Sequence, residues 1–424
     1  MAAPLAKDSP RIAALALGPG FGAARKDAKE RLERMGLPGR RDEYWRYTDP
    51  AALNVDDAPK ASVYDPGDEA PLFDRVDRVR VVFVDGVFDA AASDDLAMAG
   101  VEIRRLADAP DLSWANGLYG TLEAAGQSPV ARPFAALNTA AAGDGVLIRV
   151  TDRAAKPVHL IYVHKSEASD PILHHCVKVE PGAEMTLLES GPAGARFNKV
   201  LEIDVAEGGR FHHVRVQGRD HERRAVTHIF ARVAAGALFK SFTLTANGVL
   251  TRNECVIDIL GDDAVAHVAG AALGDGATGD FHHDDTVFVT HAAERCESRQ
   301  VFKKVLKHGA VGVFQGKILV KPGAQKTDGY QISQSLLLDD DSQFLAKPEL
   351  EIYADDVKCS HGSTTGAIDE TALFYLRSRG VTREDAVALL VLSFLADAID
   401  EIEDEGLKDE IVARLEAWLS RHRG

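Results

Sequence analysis

The chain has 424 residues, of which 46% are hydrophobic and 27% charged, as is ordinary for a soluble globular protein. Its formal net charge of −16 disfavours nucleic acid and anionic membranes as partners, because like charges repel. Four cysteines without a C-x-x-C pair exclude a disulfide framework and suit a reducing compartment. Ala13–Leu17 is too short for a signal-peptide core, and no apolar run reaches the ~18 residues that span a bilayer, so we expect a cytoplasmic protein.

Residues 1–75 form the first predicted region, which is polar and mostly helical. Arg25–Arg34 is rich in charge, with Leu32 and Met35 as spaced apolar points, and the glycines and proline of residues 36–39 end this helix. The segment Ala58–Pro71 is rich in Pro, Asp and Gly and predicts a linker.

Residues 76–358 form the second region, which is predicted to be mainly β. Short β-branched runs alternate with turns that contain Gly, Asp and Pro, and a helix is indicated only around Ser113–Ala125. The clearest predicted strands are Val79–Val84, Val146–Val150, Val158–Val163, Leu201–Val205 and Val311–Val320.

Small-residue turns recur along this region. Those at Gly182, Gly208, Gly236, Gly261 and Gly309 are separated by 26, 28, 25 and 48 residues, the last being about two periods. Evenly spaced turns between short strands are typical of a β-solenoid, in which each coil packs on the next. A β-sandwich with hairpins of similar length fits the spacing equally well, so the pattern leaves both folds open.

Residues 359–424 form the third region, which is predicted to be helical. Asp369 is a good N-cap for a helix over Thr371–Arg379, and Thr382 caps a second helix that runs to about Asp400. A third helix is predicted over about Lys408–Arg421. We expect these helices to form a small bundle over the end of the β-region.

Cys359 and His361 are the first candidates for a functional site. Residues two apart on a strand share a face, with Cα atoms ~6.5–7 Å apart, so the thiol and the imidazole can reach one metal ion or cluster. Two ligands do not complete a zinc or iron–sulfur site, which takes about four. The others must come from elsewhere in the chain or from a partner. A buried thiol beside a hydrogen-bonded histidine is the simpler interpretation of these residues alone.

Other histidines are weaker candidates. His174 and Cys176 repeat the same spacing, but no neighbouring residue in the sequence completes a site. The adjacent pairs at residues 212–213 and 282–283 should point to opposite faces of a strand, which weakens chelation. We expect them to be mostly surface histidines.

Motifs typical of enzymes are missing, so we do not expect an enzyme. Gly274–Gly279 matches G-x-G-x-x-G, but the residues after it predict a strand, whereas a dinucleotide site requires a helix there. Walker A, G-x-S-x-G and H-E-x-x-H motifs do not occur. The basic run Lys303–His308 is expected to be a solvated face and not a nucleic-acid site.

Two segments resemble a known family. Arg40–Thr48 (RRDEYWRYT) resembles an N-terminal signature of SufD proteins. Pro348–Gly362 (PELEIYADDVKCSHG), continuing through Asp369–Gly380, resembles a C-terminal signature shared by SufB and SufD. The chain is thus similar, over nearly its whole length, to the SufB/SufD family of iron–sulfur cluster assembly scaffold subunits. The Trp-Arg-Tyr-Thr segment and His361 favour the SufD branch.

This resemblance implies a right-handed parallel β-helix between two helical regions. It implies pairing with a SufB-like subunit through the β-helix, or with a second copy when the chain is isolated. It also implies docking of a SufC-like ATPase on the C-terminal helices, for which Phe374, Arg377 and Phe394 are the expected contacts. Truncation after Gly366 should then abolish this docking and leave a soluble β-helix. His361 is expected at the SufB interface as a candidate metal ligand shared with the partner, with Cys359 nearby. No cofactor is expected to stay tightly bound in the isolated chain, and an iron–sulfur cluster would be held transiently at the interface.

Two other functions remain open from the residues. A solenoid enzyme acting on polysaccharide would need acids clustered on one face, for which Asp284, Asp285 and Asp339–Asp341 are candidates. A stand-alone metal-binding protein would use the histidines above. Sugar binding or lyase activity would favour the first, and stoichiometric metal in the isolated chain the second.

Overall fold

The computed structural model describes residues 9–63, 65, 67, 70–108, 112–218 and 221–422. In this part of the chain the helices are α1 (Pro10–Ala13), α2 (Gly22–Met35), α3 (Ala51–Asn54), α4 (Ser113–Asn116), α5 (Thr121–Ala125), α6 (Pro133–Ala141), α7 (Glu370–Ser378), α8 (Arg383–Ile399) and α9 (Glu405–Arg421). The strands are β1 (Val79–Val84), β2 (Val87–Phe88), β3 (Val101–Arg105), β4 (Val146–Val150), β5 (Val158–Val163), β6 (Ile172–Val179), β7 (Glu184–Ser190), β8 (Arg196–Val205), β9 (Arg210–Gln217), β10 (Arg224–Val233), β11 (Leu238–Ala246), β12 (Leu250–Ile259), β13 (Val265–Asp275), β14 (His282–His291), β15 (Glu297–Lys307), β16 (Val311–Val320), β17 (Asp328–Leu337), β18 (Gln343–Ile352) and β19 (Lys358–Gly366).

The strands alternate between two sheets, which we call the even sheet and the odd sheet. The even sheet runs β18-β16-β14-β12-β10-β8-β6-β4-β3, and the odd sheet runs β19-β17-β15-β13-β11-β9-β7-β5-β1-β2. From β4 and β5 onward, neighbours in each sheet are parallel, and matched positions on successive coils are 26 to 32 residues apart. This is a solenoid of about seven coils, which confirms the predicted parallel β-helix and excludes the sandwich.

The parallel register stacks like side chains inside the solenoid. Val179, Val205, Val233 and Ile259 occupy one register position in four successive coils of the even sheet, and all are fully buried. The ring of Phe211 stacks on that of the next coil at 5.7 Å in the odd sheet. Each coil therefore buries its apolar residues on its neighbours, as a solenoid requires.

The turns that lead into the odd sheet differ from the predicted set. Their left-handed positions, each donating its N–H to the next turn, are Gly182, Gly208, Gly236, Asp263, Arg295 and Lys326. Gly261 is not one of them, and Gly309 lies in a turn on the opposite side, between β15 and β16. The predicted spacing of about 25 residues was wrong because it was counted between glycines. The position that stacks from turn to turn is the one with a left-handed backbone, and in the later coils Asp263, Arg295 and Lys326 occupy it.

The N-terminal region covers the outer face of the even sheet. Leu32 of α2, Trp45 and Phe134 of α6 are buried against residues of β10 and β12. Helix α6 lies in the region predicted to be β. Because it is buried on nearly every side, it lacks the one-sided apolar pattern that marks a surface helix.

The C-terminal helices cover the outer face of the odd sheet. Their N-caps are as predicted: Asp369 accepts hydrogen bonds from two backbone N–H groups of α7, and Thr382 accepts one in α8. Val391 and Leu395 of α8 and Trp418 of α9 are buried against apolar residues of β9, β11, β13 and β15. The helices therefore lie along a face of the solenoid, and not over its end as expected. Without them, the face would expose a large apolar patch, so the expectation of a soluble β-helix alone is not supported.

The last strand lies at the boundary predicted between the second and third regions. Strand β19 begins at Lys358 and pairs with β17, so Cys359 and His361 belong to the solenoid, and the C-terminal helices begin at Glu370. No helix in the described ranges has the length and apolar character needed to cross a bilayer.

We predict that Leu395→Ala lowers the free energy of unfolding by about 2–5 kcal/mol, because it leaves a cavity between α8 and the odd sheet. Leu389→Ala is the matched control, since Leu389 lies on the same helix but is 50% exposed, and it should change stability by less than ~0.5 kcal/mol. Urea unfolding followed by circular dichroism measures both. Equal effects would contradict the packing of α8.

Candidate functional site

The solenoid ends at two open sheet edges. Strands β18 and β19 are the last in their sheets, and each is paired on one side, with β16 and β17. Side chains along β18 are half-buried, and most of those on β19 are exposed. Backbone N–H and C=O groups on the outer side of both strands are therefore free to pair with another chain.

Cys359 lies on the inner face of β19. A Cβ on Gly329, its register partner, would fall 3.2 Å from the Cys359 Sγ atom, so the thiol sits directly over the glycine backbone. Apolar side chains such as Ile318 and Val320 surround it. Burial raises the pKa of the Cys359 thiol, which keeps it protonated at neutral pH.

His361 lies two residues further along the same face, opposite Gln331. The imidazole is exposed, whereas Gln331 beneath it is fully buried. Gln331 Nε2 donates to Gln300 Oε1 at 2.7 Å, while its Oε1 has no partner among the described residues. Ser363, the next inward residue, contacts Ser333 at 3.0 Å. His361 therefore stands at the mouth of the solenoid above a buried polar layer.

These two residues do not form a complete metal site in one chain. In the described ranges, the one group of three His, Cys or carboxylate side chains with ligand atoms within 4.8 Å of each other is His174, Cys176 and Glu202, far from β19 in the solenoid. A protonated thiol and a single imidazole are too few to hold a metal ion or cluster tightly. Further ligands would have to come from a second chain at the open edges.

A second exposed surface lies on the C-terminal helices. Phe374 is 74% exposed, and Arg377, one turn further along α7, is also exposed. Phe394 of α8 is instead half-buried, with the Lys303 Nζ atom 4.9 Å from its ring centroid. Of the three residues expected to contact an ATPase, the structure brings Phe374 and Arg377 together and places Phe394 against the solenoid.

Sequence comparison with known proteins finds relatives over most of the chain. Residues 162–394 match the family model for the SufBD core domain of the SUF system for FeS cluster assembly. The chain is 30% identical to the iron–sulfur cluster assembly protein SufD of Escherichia coli (strain K12), covering 91% of this chain and 90% of that protein. The chain belongs to the SufB/SufD family. SufD of Bacillus subtilis (strain 168) is 27% identical over 66% of this chain and 65% of its own length. The chloroplastic protein ABCI7 of Arabidopsis thaliana is 26% identical over 91% and 83%.

The N-terminal signature of this SufB/SufD protein, Arg40–Thr48, packs on the outer face of the even sheet. We call this segment the strap. Trp45 is 4% exposed, with its ring 5.5 Å from that of Phe134 and 4.1 Å from the Arg252 guanidinium. Thr48 Oγ1 donates to Asp284 Oδ2 at 2.6 Å. These contacts anchor the segment on the outer face of β12 and β14.

The same strap holds the edge strand β18. Tyr44 donates to Glu349 Oε2 at 3.0 Å, and Lys347 Nζ lies 3.9 Å from the Tyr44 ring centroid and 2.6 Å from Glu43 Oε1. Burial, and to a smaller extent the hydrogen bond to Glu349, raises the pKa of Tyr44 to about 12. Sequence reasoning missed this contact because the residues are 305 positions apart.

The buried group of His174, Cys176 and Glu202 anchors helix α5. Glu202 accepts hydrogen bonds from the backbone N–H of Gly120 at 2.5 Å and of Glu123 at 2.8 Å. Its Oε2 also lies 3.0 Å from His174 Nε2 and 3.9 Å from Cys176 Sγ. Glu202, one coil away, is the third potential metal ligand that the sequence did not reveal beside His174 and Cys176. Both of its carboxyl oxygens already form hydrogen bonds.

One proton in this group can be placed from the hydrogen bonds. Asn138 Nδ2 donates to the carbonyls of Leu173 and Asn198, so its Oδ1 accepts from His174 Nδ1 at 3.1 Å. His174 Nε2 then carries no proton, and Glu202 must donate to it. Burial agrees, since it raises the pKa of Glu202 to about 7 and lowers that of His174 well below its usual value.

Two of the histidines expected at the surface are buried in the solenoid. His213 and His283 are each 2% exposed: His213 Nε2 contacts Glu189 Oε1 at 2.8 Å, and His283 Nδ1 contacts Lys304 Nζ at 2.9 Å. Their neighbours in sequence lie on the outer faces, as strand alternation predicts. The prediction was wrong for the inward members because their polar partners come from other coils.

The remaining motifs have structural roles. Lys303, Lys304 and Lys307 are buried and form ion pairs with Asp397, Asp285 and Asp275. The basic run is therefore not an open patch, and the expectation that it forms a solvated face was wrong. The glycine-rich segment leads through a short turn at Gly276–Thr278 into β14, which confirms its interpretation as a turn.

The acids proposed for a polysaccharide site are also engaged. Asp284 and Asp285 are buried, one contacting Arg252 outside the solenoid and the other Lys304 inside it. Asp339 accepts backbone hydrogen bonds in its own turn. No open acidic groove forms from these residues.

We predict that Glu202→Gln reduces the pH dependence of stability. The folded protein keeps the Glu202 proton up to a pKa of about 7, whereas the ordinary pKa of a free glutamate side chain is 4.5. The resulting stabilisation, on the order of 3 kcal/mol, is fully present below the unfolded pKa and is lost as pH rises through the folded pKa. Glutamine does not titrate, although losing an acceptor for Gly120 adds a penalty that is independent of pH.

Urea unfolding of both proteins at about pH 5 and about pH 8 measures this difference. Glu33→Gln, on an exposed face of α2, controls for the loss of one carboxylate. If Glu202→Gln kept the pH dependence of the unchanged protein, the assignment of the proton to Glu202 would be wrong.

Proposed function

We propose that this chain is a SufD-type, non-catalytic subunit that serves as a scaffold in iron–sulfur cluster assembly. Membership of the SufB/SufD family and the 30% identity to a SufD over nearly the full length support this assignment. The observation that carries it is the placement of His361 at an open end of the solenoid. Its four cysteines are free, which fits the cytoplasm as its place of work.

The open edges support pairing with a SufB-like subunit. Two strands, β18 and β19, present unpaired backbone groups side by side, and a homologous solenoid would present the same two edges. Such a partner can continue both sheets. The same surface accounts for a homodimer when the chain is isolated, because related subunits share this geometry.

His361 would then lie at the subunit interface, where the cluster is the cargo and not a resident cofactor. The exposed imidazole is a suitable iron ligand when neutral, as in centres where histidine replaces cysteine. Cys359, with its raised pKa, would need an approaching metal ion to lose its proton. The remaining ligands would come from the partner, so neither chain holds the cluster alone.

Helix α7 is the surface that we propose for the SufC-like ATPase. Phe374 and Tyr375 are the most exposed large apolar residues of the C-terminal region, and Arg377 lies beside them. Aromatic side chains and arginine are the residues that most often anchor protein interfaces. Phe394 would support this surface from behind, through its contact with Lys303.

We predict that His361→Ala lowers cluster yield at least tenfold while the complex with SufB-like and SufC-like proteins stays intact. The measurement is reconstitution of the co-expressed complex with iron and sulfide, with native mass spectrometry reporting subunit content. Ser360→Ala is the matched control, because Ser360 is an exposed neighbour on the opposite face of β19. An unchanged yield in the His361 variant would remove this residue from the site.

We predict that Phe374→Ala combined with Arg377→Ala weakens binding of the SufC-like protein by about 2 kcal/mol or more, without loss of SufB-like binding. Calorimetric titration of the ATPase into the purified pair measures the change. Val87→Ala is the control, since Val87 is 60% exposed at the other end of the solenoid. Unaltered ATPase affinity would place the docking surface elsewhere.

A further inference from the structure

One row on the outer face of the odd sheet carries basic side chains on four successive strands. His212 of β9, Lys240 of β11, His267 of β13 and Arg299 of β15 occupy one register position, about 4.8 Å apart from strand to strand. Like charges at this spacing repel each other, so the row requires carboxylates opposite it.

The short connection between α8 and α9 brings carboxylates to this row. Glu403 Oε1 lies 2.8 Å from Lys240 Nζ, and Glu403 Oε2 lies 3.8 Å from His212 Nε2. Glu401 Oε2 lies 2.8 Å from His267 Nδ1. Ionic contacts therefore hold the connection on the odd sheet, in addition to the apolar packing of the two helices.

His267 lies between two carboxylates. Its Nδ1 atom faces Glu401, and its Nε2 atom lies 3.1 Å from Glu297 Oε1 on β15. Burial acts to raise the pKa of both glutamates, but it is outweighed. The hydrogen bond from His267 lowers the pKa of Glu401, and contacts with Arg299 and His267 lower the pKa of Glu297. Both carboxylates are therefore ionised at neutral pH and can only accept, so both ring nitrogens of His267 must donate and the side chain is an imidazolium ion.

Charged groups face His267 from three elements. They are Glu401 from the connection, Glu297 and Arg299 from β15, and Lys240 from β11. Arg299 Nε donates to Glu297 Oε1 at 2.8 Å, and Lys240 pairs with the other glutamate of the connection. Both cations are thus paired elsewhere, and His267 is the hydrogen-bond partner of Glu401. A neutral imidazole has one N–H group, so it could donate to one of its two glutamates while its lone pair faced the other.

A cavity of about 280 Å³ lies between the connection and the sheet. Lys240 and Phe242 line it on the side of the sheet, and Glu401, Ile402 and Leu407 line it on the side of the helices. Water can enter this space and hydrate Glu401 when its contact with the sheet is lost. The connection can therefore lift without separating the buried residues that hold α8 and α9 on the sheet.

We propose that the α8–α9 connection is a proton-controlled latch, closed on the odd sheet while His267 is protonated and open once this proton is lost. The closed form contains two hydrogen bonds that require a proton on each ring nitrogen. The latch is therefore closed at lower pH and opens as pH rises. The contact of Lys240 with Glu403 does not involve His267 and limits the movement. This latch is separate from His361 and does not depend on the proposed function.

Hydrogen exchange of the full-length chain, followed by mass spectrometry at about pH 6 and about pH 8.5, tests the latch. After correction for the chemical exchange rate, protection of the amides in residues 400–404 should fall by about tenfold between the two pH values, which is the effect of losing one charge-assisted hydrogen bond. Amides of β13, inside the sheet, should keep their protection at both values.

Two substitutions separate the charge of His267 from other effects of pH. His267→Gln is neutral at both pH values and should give the same low protection at both. His267→Lys is charged at both and should keep the connection protected. His308→Gln is the matched control, because it removes a histidine that contacts a carboxylate, Asp275, outside the latch, and it should leave the pH response unchanged.

The unchanged protein decides the case in which His267→Gln does not fold. Protection of residues 400–404 that is equal at the two pH values, or higher at about pH 8.5, would overturn the proposal. A pH response that persists in folded His267→Gln would overturn it as well.

Discussion

Backbone pairing between successive coils is the constraint on which the rest of this structure depends. From β6 to β17, each strand hydrogen-bonds to the strand one coil before it and the strand one coil after it, 26 to 32 residues away. This pairing fixes the register, and the register decides which side chains stack inside. The pairing ends at β18 and β19, so each of the two sheets has an unpaired edge there. The candidate site lies there because a solenoid of finite length must have such an end.

The two sheets also have outer faces, and the two ends of the chain cover them. The N-terminal segment lies on the even sheet through Leu32, Trp45 and Phe134, and helices α8 and α9 lie on the odd sheet. Both helical regions are therefore parts of one fold and not appended domains. Helix α7, which buries only Leu373 fully, is left projecting as the exposed element of the C-terminal region.

Features that depend on neighbours in sequence could be predicted, and features that depend on neighbouring coils could not. The caps at Asp369 and Thr382 were found because a capping residue acts within three positions of itself. The buried state of His213 and His283 was missed because Glu189 and Lys304, their partners, lie on other coils. For the same reason Glu202 was not recognised beside His174. Strand alternation alone predicts that Cys359 and His361 share a face. Only the topology shows that this face belongs to the last coil, which no further coil covers.

The two segments that identify the family meet in space. Tyr44 of the first segment contacts Glu349 of the second, and Lys347 lies between Tyr44 and Glu43. An edge strand has less support than an internal one, and β18 has a neighbour on only one side and contains Pro348, which lacks an N–H group. The strap supplies from the outer face the support that a further coil would have supplied from above. The N-terminal segment is thus tied to the geometry of the open end through its contacts with β18.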